Sequence, residues 1–402
     1  MTRAVTATKR LAKTVRTCVG LTGATWVLTS HGPRQACDLV GQPFIAMVNG
    51  EAYKAAGFRK LGTRPAVRVR THRGYEVTIA PDQKLLVERA RKPLLKLDYH
   101  GGPKRLNGFQ VRTAWVEAGE LEPGDMLILG DNDGVSWGAA REDAHGWLVG
   151  EVLGDGVYNT GKEQYAHVRF WGPHAEALAR RAYAIVDKIP LTYTQGPVPT
   201  GPVHVPSAGH WQVTSRKLSN LCLGMLEPAT KLILPGLEAR SSSFIVGFLR
   251  GWYDADGCVL GSIEKGRNVT LCSSTLANLK IAQRMLARLG IGSRLHPYRT
   301  EKGIVTFPDS KGALRQYQQQ ATHELMVTRS SLMRFAERVG FSDPNKAKKL
   351  AVFVDHDSYK QPYTDILASE VTHVIEVQDQ ELLSCKVAGD GPMEANGFIA
   401  QS

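Results

Sequence analysis

Two stretches of this sequence, GWLVGEVLGDGVY at residues 146–158 and GFLRGWYDADGCV at residues 247–259, align with each other without a gap. Each is apolar, long enough for a helix, and ends in Gly-Asp-Gly or Ala-Asp-Gly. Small residues recur four apart, which places them on one helix face. They are Gly146, Gly150 and Gly154 in the first copy, aligned with Gly247, Gly251 and Ala255 in the second. Glycine costs a helix about 1 kcal/mol relative to alanine, so the pattern predicts two helices whose backbones pack closely.

An aspartate precedes the last glycine of each copy, Asp155 before Gly156 and Asp256 before Gly257. We expect both glycines to end the helices in the left-handed conformation. The carboxylates would then lie side by side at the negative ends of two helix dipoles, where they repel unless a cation lies between them. Hard oxygen ligands favour Mg²⁺, and carboxylates that share divalent metals suit phosphodiester cleavage. One copy alone would be better explained as a polar helix-ending turn, but two copies favour a site.

The two motifs resemble those of a LAGLIDADG (dodecapeptide, DOD-type) homing endonuclease. The resemblance implies a pseudo-two-fold α+β domain of αββαββα repeats, whose sheets form a saddle on duplex DNA. It also implies that Asp155 and Asp256 are catalytic metal ligands, and we assign Gly154 and Ala255, directly before them, to the same metal site. The segment ATKLILPGL at residues 229–237 resembles the lysine-proline block of the family, which makes Lys231 a candidate charge stabiliser. Lys346 is the candidate at the matching position of the second half.

Strand-like runs follow each motif: YAHVRFWG and HWQVTSRK in the first half, then NVTLCSST and HELMVTRSS in the second. Outward polar and basic residues on such strands would meet DNA bases or phosphates. The candidates are His167, Arg169, Gln212, Arg216, Asn268, Arg299 and Arg329. Each taken singly is as well explained by ordinary solvation or by a phosphate contact.

The composition favours a polyanionic partner. A net charge of +12 and a pI near 9.4 suit nucleic acid or an anionic membrane, although a generally basic surface explains the charge equally well. The sequence lacks any run of 18 apolar residues, so no membrane span is expected. Since it also lacks the apolar stretch of a signal peptide, we expect a cytoplasmic, nucleoid-associated protein.

The flanks resemble the two halves of a Hint (intein) domain, an all-β fold. The first half carries GLTGATWVLTSHG, GYEVTIAPDQKLLV and AGELEPGDMLIL, and the second half ends in MEANGFIAQS. Inteins of ribonucleotide reductases show similar patterns. The predicted fold is therefore multidomain, with an all-β Hint domain split by the inserted endonuclease. The expected boundaries are 1–17 for a basic arm, 18–138 and 356–402 for the Hint halves, and 139–355 for the endonuclease.

This resemblance also indicates that the chemistry of splicing has been lost. Splicing needs a nucleophile, a Thr/His pair, an Asp/His pair and a terminal amide, and the sequence departs from all of these. The departing positions are Gly20, Ala80, Gln83, Ser384, Gly391, Gln401 and Ser402. An alternative remains, in which Cys18 serves as the nucleophile and Gln401 supplies the amide of a splicing-active intein.

A basic stretch in the first flank, RARKPLLKLDYHGGPKR at residues 89–105, is predicted to be a DNA-contacting loop through Arg91, Lys92, Lys104 and Arg105. Together the patterns predict a site-specific, Mg²⁺-dependent double-strand DNA endonuclease on a splicing-degenerate intein scaffold. It would act as a monomer, because one chain holds both motifs. The alternatives are a splicing-active intein and a DNA-binding protein without cleavage.

Overall fold

A computed structural model describes residues 20–97, 103–159, 165–190, 201–308, 314–328, 330–358 and 367–402. The chain forms a β unit (residues 20–129 and 367–402) and an α/β unit (residues 143–358). Strands and helices are numbered along the chain.

The first part of the β unit contains β1 (Leu21–Thr22), β2 (Trp26–Thr29), β3 (Gly32–Gln35), β4 (Phe44–Val48), β5 (Glu51–Thr71), β6 (Glu76–Ile79), β7 (Lys84–Leu97), β8 (Pro103–Glu117) and β9 (Met126–Ile128). The α/β unit contains α1 (Asp143–Asp155), β10 (Gly156–Asn159), β11 (Tyr165–Phe170), α2 (Ala175–Lys188), β12 (Val203–Val205), β13 (His210–Ser215), α3 (Arg216–Cys222), α4 (Pro235–Glu238), α5 (Ser242–Asp256), β14 (Gly257–Ser262), β15 (Gly266–Ser273), α6 (Leu276–Arg288), β16 (Ser293–Thr300), β17 (Gly303–Pro308), β18 (Leu314–Gln319), β19 (Thr322–Thr328), α7 (Ser330–Arg338) and α8 (Pro344–Ser358). The β unit closes with β20 (Ala368–Val387), β21 (Pro392–Ala395) and β22 (Phe398–Gln401).

The β unit is one antiparallel sheet to which both ends of the chain contribute. Its order is β21-β22-β7-β9-β20-β1-β6-β5-β4-β2-β3, with β8 beside β7. The long strands β5 and β20 pair along most of their length, which joins the two flanks. Alternation buries Val67 and Val69 of β5 and Val77 and Ile79 of β6 on one face, as a period of two requires.

The α/β unit repeats one order of elements twice. The first repeat runs α1, β10, β11, α2, β12, β13, α3, and the second runs α5, β14, β15, α6, β16, β19, α7. Each repeat has a four-stranded antiparallel sheet, ordered β10-β11-β13-β12 and β14-β15-β19-β16. The hairpin β17–β18 projects between β16 and β19. The four predicted strand runs coincide with β11, β13, β15 and β19.

The motif helices, α1 and α5, pack backbone against backbone at their small residues. A Cβ atom at Gly150 would lie 2.2 Å from the carbonyl oxygen of Phe248, and one at Gly251 would lie 2.1 Å from that of Trp147. Real Cβ atoms do not approach oxygen so closely, so only glycine fits at either position. The close helix packing predicted from the repeat is confirmed.

The expected left-handed ends of the motif helices are wrong. Gly156 has φ −99° and ψ 175°, and Gly257 has φ −86° and ψ 151°, so both are extended and begin β10 and β14. Crowding explains these glycines instead. A Cβ at Gly156 would lie 2.5 Å from the Cα of Val152, and one at Gly257 would lie 2.4 Å from the carbonyl oxygen of Tyr253.

The β unit docks on the second repeat through buried charges at the end of α6. Arg288 is 1% exposed, and its guanidinium lies 2.8 Å from the carboxylate of Glu238, which precedes α5, and 3.8 Å from that of Glu394 on β21. Glu394 also accepts a hydrogen bond from Asn132 at 2.8 Å. Burial raises the pKa of Glu394, while Arg284 and Arg288 hold that of Glu238 below its usual range despite burial. The two units therefore share one network of buried polar groups.

Candidate catalytic site and nucleic-acid interface

Asp155 and Asp256 are the last residues of the motif helices, and the packing brings these helix ends together. A Cβ at Gly154 would lie 2.4 Å from the Cβ of Ala255 and 3.4 Å from Oδ2 of Asp256. The carboxylate of Asp256 therefore lies against the end of α1, directly before Asp155. The structure thus brings together the four residues assigned to the metal site, because the close packing of the two helices extends to their last residues.

Both carboxyl groups are costly to ionise where they lie. Burial, together with the nearby charge of Asp155, raises the pKa of Asp256 to about 6, although a hydrogen bond from Nε1 of Trp252 to Oδ2 at 3.0 Å opposes the rise. Burial also raises the pKa of Asp155, against the opposing effects of Lys346, Lys231 and Arg169. A cation between the two carboxylates would relieve this cost.

The two predicted lysines occupy matching places at the ends of the motif helices. Nζ of Lys231 donates to the carbonyl oxygens of Leu153 at 2.8 Å, Gly154 at 3.1 Å and Gly156 at 2.9 Å, at the end of α1. Nζ of Lys346 donates to the carbonyl oxygens of Tyr253 and Asp254, at the end of α5. Both ammonium groups favour ionisation of Asp155 and Asp256. The assignment of Lys346 as the counterpart of Lys231 therefore agrees with the geometry.

The donor set at the helix ends fits a hard divalent cation. It offers two carboxylates whose pKa values are raised by burial, as expected of acidic groups short of positive charge. Within the described ranges, no group of three or more His, Cys, Asp or Glu residues is placed to hold a metal. The carbonyl oxygen of Gly154 is engaged by Lys231, so further ligands would have to come from water or substrate oxygens.

A polar pocket of about 340 Å³ opens beside Asp256. Lys231 and Thr230 line it from the segment between the repeats, and Ser273, Thr275 and Thr322 line it from the second repeat. The carboxylate of Asp256 therefore borders a polar, partly open pocket on the side of the second sheet.

Four residues near the site were not predicted from the sequence. Trp252 binds Asp256, and Asp254 accepts from Nε1 of Trp147 at 2.9 Å and from the backbone N–H of Ser342 at 2.8 Å. Glu151 is 2% exposed, and burial together with Asp254 and Asp155 raises its pKa well above the usual range. The fourth, Asn278, binds the backbone on both sides of Leu232. The sequence contained a signal for one of these residues. Glu151 aligns with Trp252 in the repeat, and its charge interrupts the apolar pattern of the first motif.

The first sheet presents three of the predicted DNA-contacting residues on one face. Ala166, Val168 and Phe170 of β11 are buried, which turns His167 and Arg169 to the other face. Arg169 pairs in register with Gln212 of β13, and His167 pairs with Thr214. Nε2 of His167 and Nε of Arg169 have no hydrogen-bond partner within the described part of the chain. His167 and Arg169 are half-buried, so this face of the sheet carries polar side chains that are partly exposed.

The other predicted saddle residues are placed less uniformly. Asn268 lies on the face of β15 opposite to the buried Val269 and Leu271, and it accepts a hydrogen bond from Thr270 at 2.7 Å. Arg299 lies near the end of β16 and pairs with Glu324 at 3.5 Å. Arg216 is not on a strand as predicted, because Ser215 caps α3 by accepting from the N–H of Lys217 and so ends β13. Arg329 lies outside the described residues.

The predicted basic loop at residues 89–105 is instead most of a long hairpin, β7–β8. Arg91 lies on β7 and donates to both carboxylate oxygens of Glu88, at 2.8 and 2.7 Å, so its charge is already paired. Lys92, its neighbour on the strand, is exposed. Lys104 and Arg105 belong to β8, where the structure describes the backbone only. The two strands are stabilised by pairing with each other, and the basic composition of this stretch gives no indication of that pairing.

In the β unit, the positions matched to splicing residues converge. The carbonyl oxygen of Gly20 accepts from the N–H of Ala80 at 2.9 Å, and the N–H of Gln83 donates to the carbonyl oxygen of Ala80 at 3.1 Å. The side-chain amide of Gln83 donates to the carbonyl oxygen of Gln401 at 2.5 Å. In addition, the N–H of Ser402 donates to the carbonyl oxygen of Gly391 at 3.3 Å. Ser384 follows Leu383, whose carbonyl oxygen would lie 3.2 Å from a Cβ at Gly20.

Comparison with known proteins identifies part of the α/β unit. A family model described as a LAGLIDADG-like domain matches residues 243–340, so this part of the chain is a LAGLIDADG-like domain. The replicative DNA helicase DnaB of Rhodothermus marinus is 23% identical over 368 residues, which cover 83% of this chain and 35% of that protein. The chain thus spans about a third of the length of this curated relative.

Solved structures were also compared. A mesophilic variant of the homing endonuclease I-DmoI has 15% identity and a TM-score of 0.33, and covers 52% of this chain and 98% of its own. The homing endonuclease I-WcaI bound to its DNA recognition sequence has 14% identity and a TM-score of 0.32, with 53% and 88% coverage. The G-1F mutant of the Ssp DnaB mini-intein variant M86 has 13% identity and a TM-score of 0.20, with 31% and 68% coverage. Separately, the helices in the described ranges are all too short or too polar to cross a membrane.

Proposed function

We propose that this protein is a site-specific endonuclease that cuts both strands of duplex DNA and requires Mg²⁺. The observation that carries the proposal is the meeting of Asp155 and Asp256 at the adjoining ends of two glycine-packed helices. The duplicated motif uses six small residues to bring two half-buried carboxylates together, and this arrangement calls for a function. Metal-assisted hydrolysis of a phosphodiester is the chemistry that best fits such a pair.

In this proposal, Asp155 and Asp256 would hold Mg²⁺, which supplies Lewis-acid activation of water and of the leaving oxygen. Trp252 orients one carboxylate of the pair through its indole N–H. Lys231 and Lys346 place positive charge at the ends of both motif helices, where negative charge develops on a phosphate undergoing cleavage. Burial of the carboxylates reduces competition from bulk water.

The duplex would lie across the two sheets, because they follow directly from the helix ends that carry the aspartates. Arg169, His167 and Gln212 would contact one half of the target, and Asn268 the other half. Since one chain holds both repeats, we propose a monomer on an asymmetric site. A net charge of +12 supports affinity for the phosphate backbone and a nucleoid-associated, cytoplasmic location.

We also propose that the β unit is an intein-like Hint frame that has lost splicing, with the nuclease inserted between its halves. Its joined flanks and the convergence of Gly20, Gln83 and Gln401 support this. Gly20 offers no nucleophile where splicing requires one. A precursor with flanking segments should yield no ligated product; ligation that depends on Cys18 would overturn the proposal in favour of an active intein.

Selection on a random duplex library tests the nuclease proposal. Purified protein with Mg²⁺ should linearise a small set of related sequences, and the cut ends should map both strands of each site. Protein that binds particular duplexes but leaves them intact with Mg²⁺ or Mn²⁺ would support a DNA-binding protein without cleavage instead.

A further inference from the structure

Lys231 lies in a strained turn between the two repeats. Its φ is +54°, in the left-handed region that residues other than glycine rarely adopt. The N–H of Lys231 donates to the carbonyl oxygen of Glu227 at 2.8 Å, and the N–H of Glu227 donates to that of Leu232 at 2.9 Å. Such a conformation persists only where surrounding contacts impose it.

Two of these contacts come from Asn278, a residue of the second repeat. Asn278 lies in the first turn of α6 and is 3% exposed. Its Nδ2 donates to the carbonyl oxygen of Lys231 at 3.0 Å, and its Oδ1 accepts from the N–H of Ile233 at 2.9 Å. The buried amide of Asn278 therefore forms hydrogen bonds with the backbone on both sides of Leu232. Rotation of this side chain would break at least one of the two bonds.

These two hydrogen bonds fix the turn and thereby determine where the ammonium group of Lys231 lies. From the held turn, Nζ reaches carbonyl oxygens at the end of α1, beside Asp155. Lys346 needs no such support: it lies in the first turn of α8, where its own N–H donates to the side chain of Asp343 at 2.9 Å. The two lysines thus reach matching places by different means, one through a helix and one through a clamped turn.

We propose that Asn278 is a positioning residue that holds Lys231 at the end of α1, so that the second repeat completes the catalytic site of the first. The expected effect of Asn278 on cleavage rests on the nuclease function proposed above. Its effect on the position of Lys231 does not, because that position can be measured without any DNA.

Amine labelling of the folded, DNA-free protein tests the proposal, with mass spectrometry reporting each lysine separately. In Asn278→Ala, labelling of Lys231 should rise severalfold while that of Lys346 stays unchanged as an internal reference. Gln283→Ala is the matched control: it removes another buried amide of α6, one that binds the carbonyl oxygen of Arg73 at 2.8 Å and does not face the turn. This control should leave both lysines as they are.

Equal increases at both lysines, or an unchanged Lys231, would overturn the proposal. If Asn278→Ala does not fold, Asn278→Asp keeps the acceptor for Ile233 and loses only the donor to Lys231, and the same selective increase is expected. On a cleaved duplex, Asn278→Ala should lower the single-turnover rate severalfold with unchanged DNA affinity. If wild-type protein cuts no duplex, the nuclease proposal fails while the labelling result still decides the role of Asn278.

Discussion

Trp252 donates its indole N–H to the carboxylate of Asp256 at 3.0 Å, one helical turn before it on the same helix. The equivalent position of the other motif helix holds Glu151, whose buried Oε1 has no hydrogen-bond partner among the described residues. Burial, Asp254 and Asp155 raise the pKa of Glu151 well above its usual range. The two aspartates therefore share a location but differ in their surroundings. The repeat is symmetric in backbone and asymmetric in chemistry.

The raised pKa of Asp256 predicts a stability cost that appears as pH rises. Its pKa moves from 3.8 to about 6 on folding, so ionisation is more costly in the folded state than in the unfolded state. The contribution that favours folding is complete below pH 3.8 and is lost as pH rises through about 6. Full ionisation costs about 3 kcal/mol. Asp256→Asn should therefore be more stable than wild type by up to this amount at pH 7.5, and by much less at pH 4.

Denaturant unfolding of both proteins at the two pH values measures this difference. Added Mg²⁺ should stabilise wild type at pH 7.5 and stabilise Asp256→Asn less, because a ligand that binds only the folded state shifts the equilibrium towards it. An equal gap between the proteins at both pH values would show that the carboxyl group does not titrate as described.

Asp155→Asn should abolish cleavage and leave duplex affinity within about twofold of wild type, because the amide keeps the shape of the carboxylate and loses its charge. Gel-shift titration with Ca²⁺ and a cleavage assay with Mg²⁺ measure the two properties. Asp143→Asn makes the same change at the opposite end of α1 and should retain cleavage. Loss of both binding and cleavage at Asp155 would mean that the residue serves the fold.

Gly150→Ala should destabilise the α/β unit by about 2–3 kcal/mol or more, although alanine favours an isolated helix. The added methyl group would lie 2.2 Å from the carbonyl oxygen of Phe248, and two packed backbones have no room to yield. Gly201→Ala is a suitable control, since no heavy atom of the described residues lies within 4 Å of its added Cβ. Thermal unfolding distinguishes the two, and a neutral Gly150→Ala would contradict the close helix packing.

Arg288→Met should destabilise the protein by about 3–5 kcal/mol, because it leaves the buried carboxyl group of Glu394 without its cation and the carboxylate of Glu238 with Arg284 alone. Lys60→Met removes an exposed ion pair with Glu381, whose side chains are 65% and 58% exposed, and should change stability by less than about 1 kcal/mol. Urea unfolding provides the comparison. Similar effects for the two substitutions would mean that the units do not depend on their shared network.

Arg169→Ala should weaken duplex binding and reduce its salt dependence, since the side chain lies on the partly exposed face of the first sheet. Arg180→Ala removes an equal charge from α2, where Arg180 pairs with Glu176 on an exposed helix surface, and should bind normally. Affinities at several salt concentrations separate the two. Equal losses would indicate attraction by net charge rather than contact at the sheet.

The repeat in the sequence was sufficient for several features because each depends on local spacing. Small residues four apart predicted the helix pair, and alternation predicted β11, β13, β15 and β19. Local spacing was insufficient where partners lie far along the chain. The hairpin of β7 and β8 was predicted as a loop, since its strands are stabilised by each other. Arg216 was assigned to a strand because its cap, Ser215, looks like another strand residue.

By itself, the sequence determined that two carboxylates end two glycine-faced helices, because periodicity and the cost of glycine are properties of a single segment. Only the tertiary structure decided what surrounds them. Glu151 is buried, Trp252 donates to Asp256, and Asn278 of the second repeat binds the turn between the repeats that carries Lys231. Burial and hydrogen-bond partners depend on contacts between distant segments, and those contacts exist only once the chain has folded.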